Sequence, residues 1–365
     1  MGRAQPSYAP IAQQGFRKDQ RAKHARVIIT KTIPQILNSD ARARKGVANA
    51  ELISHPPGVK SRSKKATRRA SQGADDSSQT SPNQDSASPS LELRIHVADT
   101  LVVAQDLHHS SRSKKNVAVL NMASPLRPGG GVLNGATSQE ELLCTRTTLL
   151  PSLKEEWYRL PELGGIWSPD ALVFRLQEET LPKARRFYVD VISAGMLRFP
   201  DLTEHGCYAS QKDRDLAREK IRRVLQILVE KKADRVVLGA WGCGAYGNPV
   251  HEIAQAWRYA LRGECGNFNQ VVFAIKDSRM AREFAGAWGD EIEVMEDGKG
   301  MASAGESEED REREELLQKI ETLESQIKEV KTPMLKESLE GTLRALRMEL
   351  AKANQDASDD EEDSS

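Results

Sequence analysis

From Leu91 onward the chain alternates between two hydrophobic periods. LELRIHVA (91–98) alternates apolar and polar positions, which predicts a half-buried strand. DTLVVAQDL (99–107) follows at helical spacing, with Asp99 placed to cap it. VAVLN (117–121) is continuously apolar and reads as a fully buried strand. FYVDVISA (187–194), RVVLGAW (235–241) and QVVFAI (270–275) predict further strands. Between them, DRDLAREKIRRVLQILVEKK (213–232) and VHEIAQAWRYALRG (250–263) carry apolar residues at helical spacing. Strands that alternate with helices predict an α/β sandwich around a mostly parallel or mixed sheet. In such sheets ligands sit beyond the C-terminal ends of the strands.

The pattern changes at both ends. Val27, Ile28, Ile33, Ile36 and Leu37 predict a surface helix near 20–38. Residues 55–90 are Ser, Gln, Asp, Pro and Lys with almost no apolar side chains, so they predict a disordered insertion. Beyond residue 300, Leu316, Ile320, Leu323, Ile327 and Val330 repeat as a coiled-coil seam would. Pro333 interrupts the seam, and Leu339, Leu343, Leu346 and Leu350 resume it. A proline inside a helix costs about 3 kcal/mol, so two helices or a helical hairpin fit better than one rod. The expected organisation is a flexible 1–16, a main domain 17–297 holding the insertion, a helical or coiled-coil extension 298–354, and an acidic tail 355–365.

Charge sharpens this division. The 53 basic and 53 acidic residues cancel, yet residues 1–69 hold 16 Lys/Arg against 3 Asp/Glu. Residues 296–365 hold 10 against 21, which leaves the body nearly neutral. KSRSKKATRR (60–69) reads either as a nuclear-import or polyanion-binding run, placing the protein in nucleus or cytoplasm, or as a solvated linker. A mean hydropathy of −0.57 and the lack of a long apolar run predict no membrane partner. Cys144, Cys207, Cys243 and Cys265 form no C-x-x-C pair, and the histidines lack metal-ligand spacing. The sequence therefore calls for no metal and no cofactor.

Two loops after buried strands are the candidates for chemistry. In NMASPLRPGGGVLNGATSQEELLCTRTTLL (121–150), Asn121 ends a strand and Gly129, Gly130 and Gly131 allow backbone to approach a ligand. Gln139, Glu140 and Glu141 come after seven intervening residues, where Ser138 and Glu141 also fit an S-x-x-E capping box. Glu141 is thus either a site residue or a helix cap. In LGAWGCGAYGNPVHE (238–252), Gly239, Gly242, Gly244 and Gly247 crowd a strand-to-helix connection whose N–H groups suit a diphosphate. No G-K-[ST] follows, and the spacing is not G-x-G-x-x-G.

The GGG block, seven residues and then QEE resembles the signature loop of poly(ADP-ribose) glycohydrolases, and WGCGAYGN (241–248) resembles their diphosphate loop. The first block, with WSPDALVFR (167–175), is most similar to the microbial-type branch, compact macrodomain enzymes of bacteria and fungi. The resemblance spans roughly 20–52 and 91–297. Tyr246 stands where relatives often have Phe, and AGMLRF (194–199) departs from its counterpart. The resemblance implies a macrodomain-like three-layer α/β/α sandwich with a mixed sheet, and cleavage of ribose–ribose bonds in poly(ADP-ribose) or on ADP-ribosylated proteins. It implies Glu141 as acid/base, Glu140 as a holder of ribose hydroxyls, Gln139 as support of the loop and Asn121 as a partner of the attacked ribose. It further implies that Gly129 to Gly131, with Gly242, Cys243, Gly244, Ala245, Tyr246, Gly247 and Asn248, enclose the diphosphate and adjoining ribose.

Glycosidases ordinarily place two carboxyls on opposite sides of the bond. Glu140 and Glu141 are chain neighbours and cannot easily do so, so one glutamate acting first as acid and then as base is the more economical expectation. Three rivals remain: a reader that binds ADP-ribose without cleaving it, a hydrolase of mono-ADP-ribosylated proteins, and a scaffold that self-associates or docks a partner through 310–352. The paired glutamates favour catalysis over reading.

Overall fold

The computed structural model describes residues 9–54, 91–110, 115–177, 179–264, 268–289 and 292–296, with scattered helical residues between 316 and 351. The basic run 60–69, the insertion 55–90 and the tail 355–365 lie outside these. The chain begins with α1 (Ala9–Val27), a π-helical turn (Ile28–Thr32) and α2 (Ile33–Ser39). One continuous helical run thus replaces the shorter helix expected at 20–38, and it begins inside the segment expected to be flexible. The widened turn just precedes Pro34, which has no N–H to give the carbonyl one turn back. Asp40 ends the run and caps α3 (Ala41–Ala48), accepting the Ala43 N–H at 2.8 Å.

Among the described residues up to Met295, ten strands and five more helices follow. They are β1 (Glu51–Ile53), β2 (Glu92–His96), α4 (Thr100–Ser110), β3 (Val117–Met122), α5 (Gln139–Arg146), β4 (Gly165–Val173), β5 (Arg175–Leu176), β6 (Glu179–Thr180), β7 (Phe187–Ala194), α6 (Gln211–Glu230), β8 (Arg235–Leu238), α7 (Val250–Glu264), β9 (Gln270–Ala274), α8 (Ser278–Trp288) and β10 (Glu293–Met295). Eight strands form one sheet in the order β1-β4-β7-β3-β8-β9-β2-β10, and β5 pairs with β6 alone. From β7 to β10 all neighbours are parallel; β4 runs antiparallel to both β7 and β1. The sheet is therefore mixed.

Alternation along the strands divides the core. Ala118 and Leu120 of β3, Val236 and Leu238 of β8, and Val271 and Phe273 of β9 face a layer that includes Ile221, Leu225 and Leu228 of α6, Trp257 of α7 and Phe284 of α8. Val117 and Val119, Val237, and Val272 and Ala274 face the opposite layer, with Leu101 and Ala104 of α4 and Leu143 of α5. The result is a three-layer α/β/α sandwich. Asp99 accepts the Leu101 N–H at 2.9 Å, as a cap for α4 should, and its other oxygen meets Arg146 at the end of α5 at 2.8 Å.

The sequence reading omitted β1, β4 and β10. In β4, Pro169 cannot join a ladder. It sits at an irregularity between Ser168 and Ala171, where Asp170 takes φ +52° and gives its N–H to Asp190 at 2.9 Å. RVVLGAW also ends earlier than expected, at Leu238. Near the C-terminus, Ile320 and Leu323 share a buried cluster with Leu339 and Leu343, and Arg347 donates to Glu324 at 2.8 Å. Among the described residues no helix is long and apolar enough to cross a membrane.

Candidate active site

The first glycine loop leaves the C-terminal end of β3 and is tied back to it by α5. Gln139 accepts the Met122 N–H at 2.9 Å and donates to the Leu120 carbonyl at 2.7 Å. Its amide is thereby spent on fixing the strand end, which supports the loop and places the next two residues. Glu140 and Glu141 are both buried. Glu140 accepts the Ser124 N–H at 2.7 Å, and Glu141 accepts the Gly131 N–H at 2.7 Å. Ser138 occupies the N-cap position of α5, but its hydroxyl makes no cap and turns to the Glu141 carboxylate. The capping-box arrangement is thus not formed, and the Glu141 side chain is directed at the glycine loop.

Gly130 explains why a glycine is required here. It takes φ +54°, and a Cβ at this position would stand 2.5 Å from Glu141 Oε1 and 2.8 Å from Glu140 Oε2. Both carboxylates therefore converge beneath one backbone position. Gly129 also has a positive φ, and its missing Cβ leaves room for Leu150, Val132 and Cys144. Helix α1 holds the far end of the loop, where Arg21 donates to the Gly135 carbonyl at 3.0 Å.

Asn121 is fully buried; its amide donates to Ser193 Oγ at 3.0 Å. Its Oδ1 and the Oε1 of Glu140 are buried with no hydrogen-bond partner among the described residues. Burial, reinforced by the adjacent Glu141 charge, pushes the Glu140 carboxyl up to about 8, against the pull of Ser124, Asn121 and Gly129. Near neutral pH the Glu140–Glu141 pair accordingly retains a proton.

The second glycine loop follows β8. Gly242 has φ +81°, and a Cβ there would stand 2.6 Å from Asn248 Nδ2 and 2.7 Å from Met196 Cγ. Asn248 is the root of this loop: its Nδ2 donates to the carbonyls of Leu197 and Gly242 at 2.8 and 3.0 Å, and its Oδ1 accepts the Tyr208 hydroxyl at 2.8 Å. Its side chain braces the loop. Cys243 is buried, and burial pushes its thiol up. Around Gly244 and Gly247 the space is open, unlike that at Gly242. Ala245 lies in the same open turn. Asn248→Ala should lower stability by about 1–3 kcal/mol, because the buried Tyr208 hydroxyl loses its acceptor; urea unfolding reads this, and an unchanged midpoint would show that the loop root is not braced there.

Tyr246 joins the two loops. Burial pushes its hydroxyl up to about 12; Arg198 and Ser124 oppose the rise, and Glu140 and Glu141 add to it. The hydroxyl thus feels the charge of the paired carboxylates. The Arg198 guanidinium carbon is 5.6 Å from its centroid. Sequence reasoning missed Tyr158, whose buried hydroxyl finds no hydrogen-bond partner among the described residues and whose pKa is raised by burial and by Glu140. It also missed Ser124, Ser193 and Tyr208. None lies in a recognisable spacing, and only the folded chain brings them to the glycine loops. Among the described residues no group of three or more His, Cys, Asp or Glu is placed to hold a metal ion.

A mixed α/β/α sandwich with two glycine loops at the C-terminal ends of β3 and β8 defines a macrodomain-like protein. The family model for the microbial-type poly(ADP-ribose) glycohydrolase (PARG) catalytic domain matches residues 47–176, which include the first glycine loop and the paired glutamates. Over these residues the chain is similar to that family. The crystal structure of PARG from Thermomonospora curvata is 22% identical, with a TM-score of 0.56 over 73% of this chain and 99% of that one. The same enzyme bound to the inhibitor ADP-HPD is 21% identical, with a TM-score of 0.54 over 74% and 98%. PARG from Deinococcus radiodurans in complex with ADP-ribose is 29% identical over 54% of this chain and 82% of that one, with a TM-score of 0.46. No curated protein matches the chain.

Proposed function

We propose that this protein hydrolyses the ribose–ribose O-glycosidic bonds of poly(ADP-ribose) and releases ADP-ribose, with Glu141 as the acid/base. The observation that carries the reading is the convergence of two buried carboxylates beneath Gly130, at the strand end where an α/β sheet places its ligand. A module that only bound ADP-ribose would gain nothing from burying two acids side by side. In the forward step the proton that the carboxyl pair retains is delivered through Glu141 to the departing ribose oxygen as the C1–O bond breaks. Water then adds to the oxocarbenium carbon and returns a proton to the Glu141 carboxylate. Glu140, neutral below about pH 8, leaves the pair with at most one negative charge and offers a donor to a ribose hydroxyl. Asn121 Oδ1 is the acceptor left for the same sugar. Open backbone at Gly244 and Gly247 suits the diphosphate.

In this reading the basic run 60–69 favours a polyanionic partner and a nuclear or cytoplasmic location, and 310–352 offers a surface for self-association. The test is incubation of the purified protein with poly(ADP-ribose) while free ADP-ribose is followed. Release supports the assignment. Binding without release would make the protein a reader, and release only from singly modified proteins would make it a mono-ADP-ribosyl-protein hydrolase.

A further inference from the structure

The C-terminal helical residues pack against the rim of the candidate site. Phe199 is half-buried and packs on the cluster formed by Ile320, Leu323, Leu339 and Leu343. On its other side it faces Tyr246, with ring centroids 6.2 Å apart in an edge-on arrangement. The backbones are joined as well, since the Phe199 N–H donates to the Tyr246 carbonyl at 3.0 Å. Phe199 adopts φ +51°, a conformation that costs a non-glycine residue on the order of 1 kcal/mol and persists only where its surroundings impose it. Here those surroundings are Tyr246 and the C-terminal cluster.

The second glycine loop needs such support. Gly244 and Gly247 meet no packed atoms on their open faces, so the turn carrying Tyr246 is braced at its root by Asn248 and at its tip by Phe199. About 73% of this chain accounts for 99% of the Thermomonospora enzyme, so a quarter of the chain has no counterpart there.

We propose that Phe199 is a positioning residue that conveys the docking of the C-terminal helical segment to Tyr246, so that this segment sets the pocket's affinity for its ADP-ribose-containing ligand. The identity of the ligand rests on the function proposed above; the mechanical coupling does not. With the segment docked, Phe199 holds the Tyr246 turn in one position and binding costs little ordering. With the segment displaced, the glycine-rich turn samples other conformations, and binding must order it.

The test uses full-length protein carrying Leu343→Asp or Phe199→Ala, with Phe199→Leu as the conservative variant and Met348→Asp as a control at a 75% exposed position. Amide exchange is read at residues 244–247 without ligand, followed by the Kd for ADP-ribose and by KM and kcat on poly(ADP-ribose). Leu343→Asp and Phe199→Ala should each speed exchange by about tenfold and raise Kd and KM about five- to tenfold, with kcat changed less than about twofold. Phe199→Leu should recover most of the affinity. The double variant should be no worse than either single one, because both break one connection. Unchanged exchange in Leu343→Asp, or additive losses in the double variant, would overturn the proposal. Should thermal melts show that Leu343→Asp unfolds the body, Leu343→Ala replaces it under the same criteria. Failure of the wild-type protein to bind ADP-ribose would overturn the functional reading alone, since exchange still decides the coupling.

Discussion

Glu141→Gln is expected to abolish release of ADP-ribose, lowering turnover by about 10³-fold or more, while binding of ADP-ribose changes little. The side chain accepts the Gly131 N–H through Oε1, and glutamine keeps that acceptor. At the other oxygen the Ser138 hydroxyl donates; with an amide nitrogen there, the hydroxyl can rotate and accept. The geometry of the glycine loop is thereby preserved, and only the ability to give up and recover a proton is lost. Single-turnover assays on poly(ADP-ribose), set beside calorimetric titration with ADP-ribose, separate the two effects. Near-normal turnover in the variant would move the acid/base role elsewhere, with Glu140 the nearest candidate.

The second large effect concerns Glu140 and stability. Its carboxyl is held up to about 8 in the folded protein against an ordinary 4.5. Between these values the folded state binds more protons than the unfolded one, so stability falls as pH rises through this window. Below about 4.5 both states are protonated and the penalty vanishes. A shift of this size is worth on the order of a few kcal/mol, or about 10 °C in melting temperature for a domain of this size. Wild-type protein should therefore lose about that much more melting temperature between pH 5.5 and 8.5 than Glu140→Gln, which keeps an acceptor for the Ser124 N–H and carries no charge. Parallel melting curves for the two proteins would show that Glu140 is not held neutral. The variant should also lose activity, so a gain in stability above pH 8 accompanied by lost turnover would mark a group kept in place for chemistry at a cost in stability.

Much of this site was legible in the chain because its parts are local. Gly129 to Gly131 and Gln139 to Glu141 lie on one connection, and their spacing survives folding unchanged. The buried strands were legible for the same reason: VAVLN has no polar residue to confuse its reading until Asn121, which is part of the site. The parts that escaped notice depend on distant segments. Tyr158 feels the Glu140 charge from a connection beyond α5, and Ser193 of the neighbouring strand β7 accepts from Asn121. The capping-box pattern at Ser138 was misleading because its hydroxyl donates to the Glu141 carboxylate and does not accept an N–H from the helix it precedes. Strand β4 was hidden by Pro169, which the sheet tolerates only where its ladder is already interrupted.

The order of the sheet also constrains a part of the chain that has no apolar pattern of its own. Strands β1 and β2 are consecutive in sequence, yet β1 forms one edge and β2 lies seventh, six strand spacings away. At about 4.8 Å per spacing that is roughly 29 Å, a distance that at least about nine extended residues must cover before any detour around a helical layer. The Ser- and Lys-rich stretch between them therefore has a floor on its length that its composition does not suggest. Its sequence can drift and its middle can shrink, but shortening it below that span would force the N-terminal edge strand, together with α1 and its hold on the Gly135 turn, off the sheet.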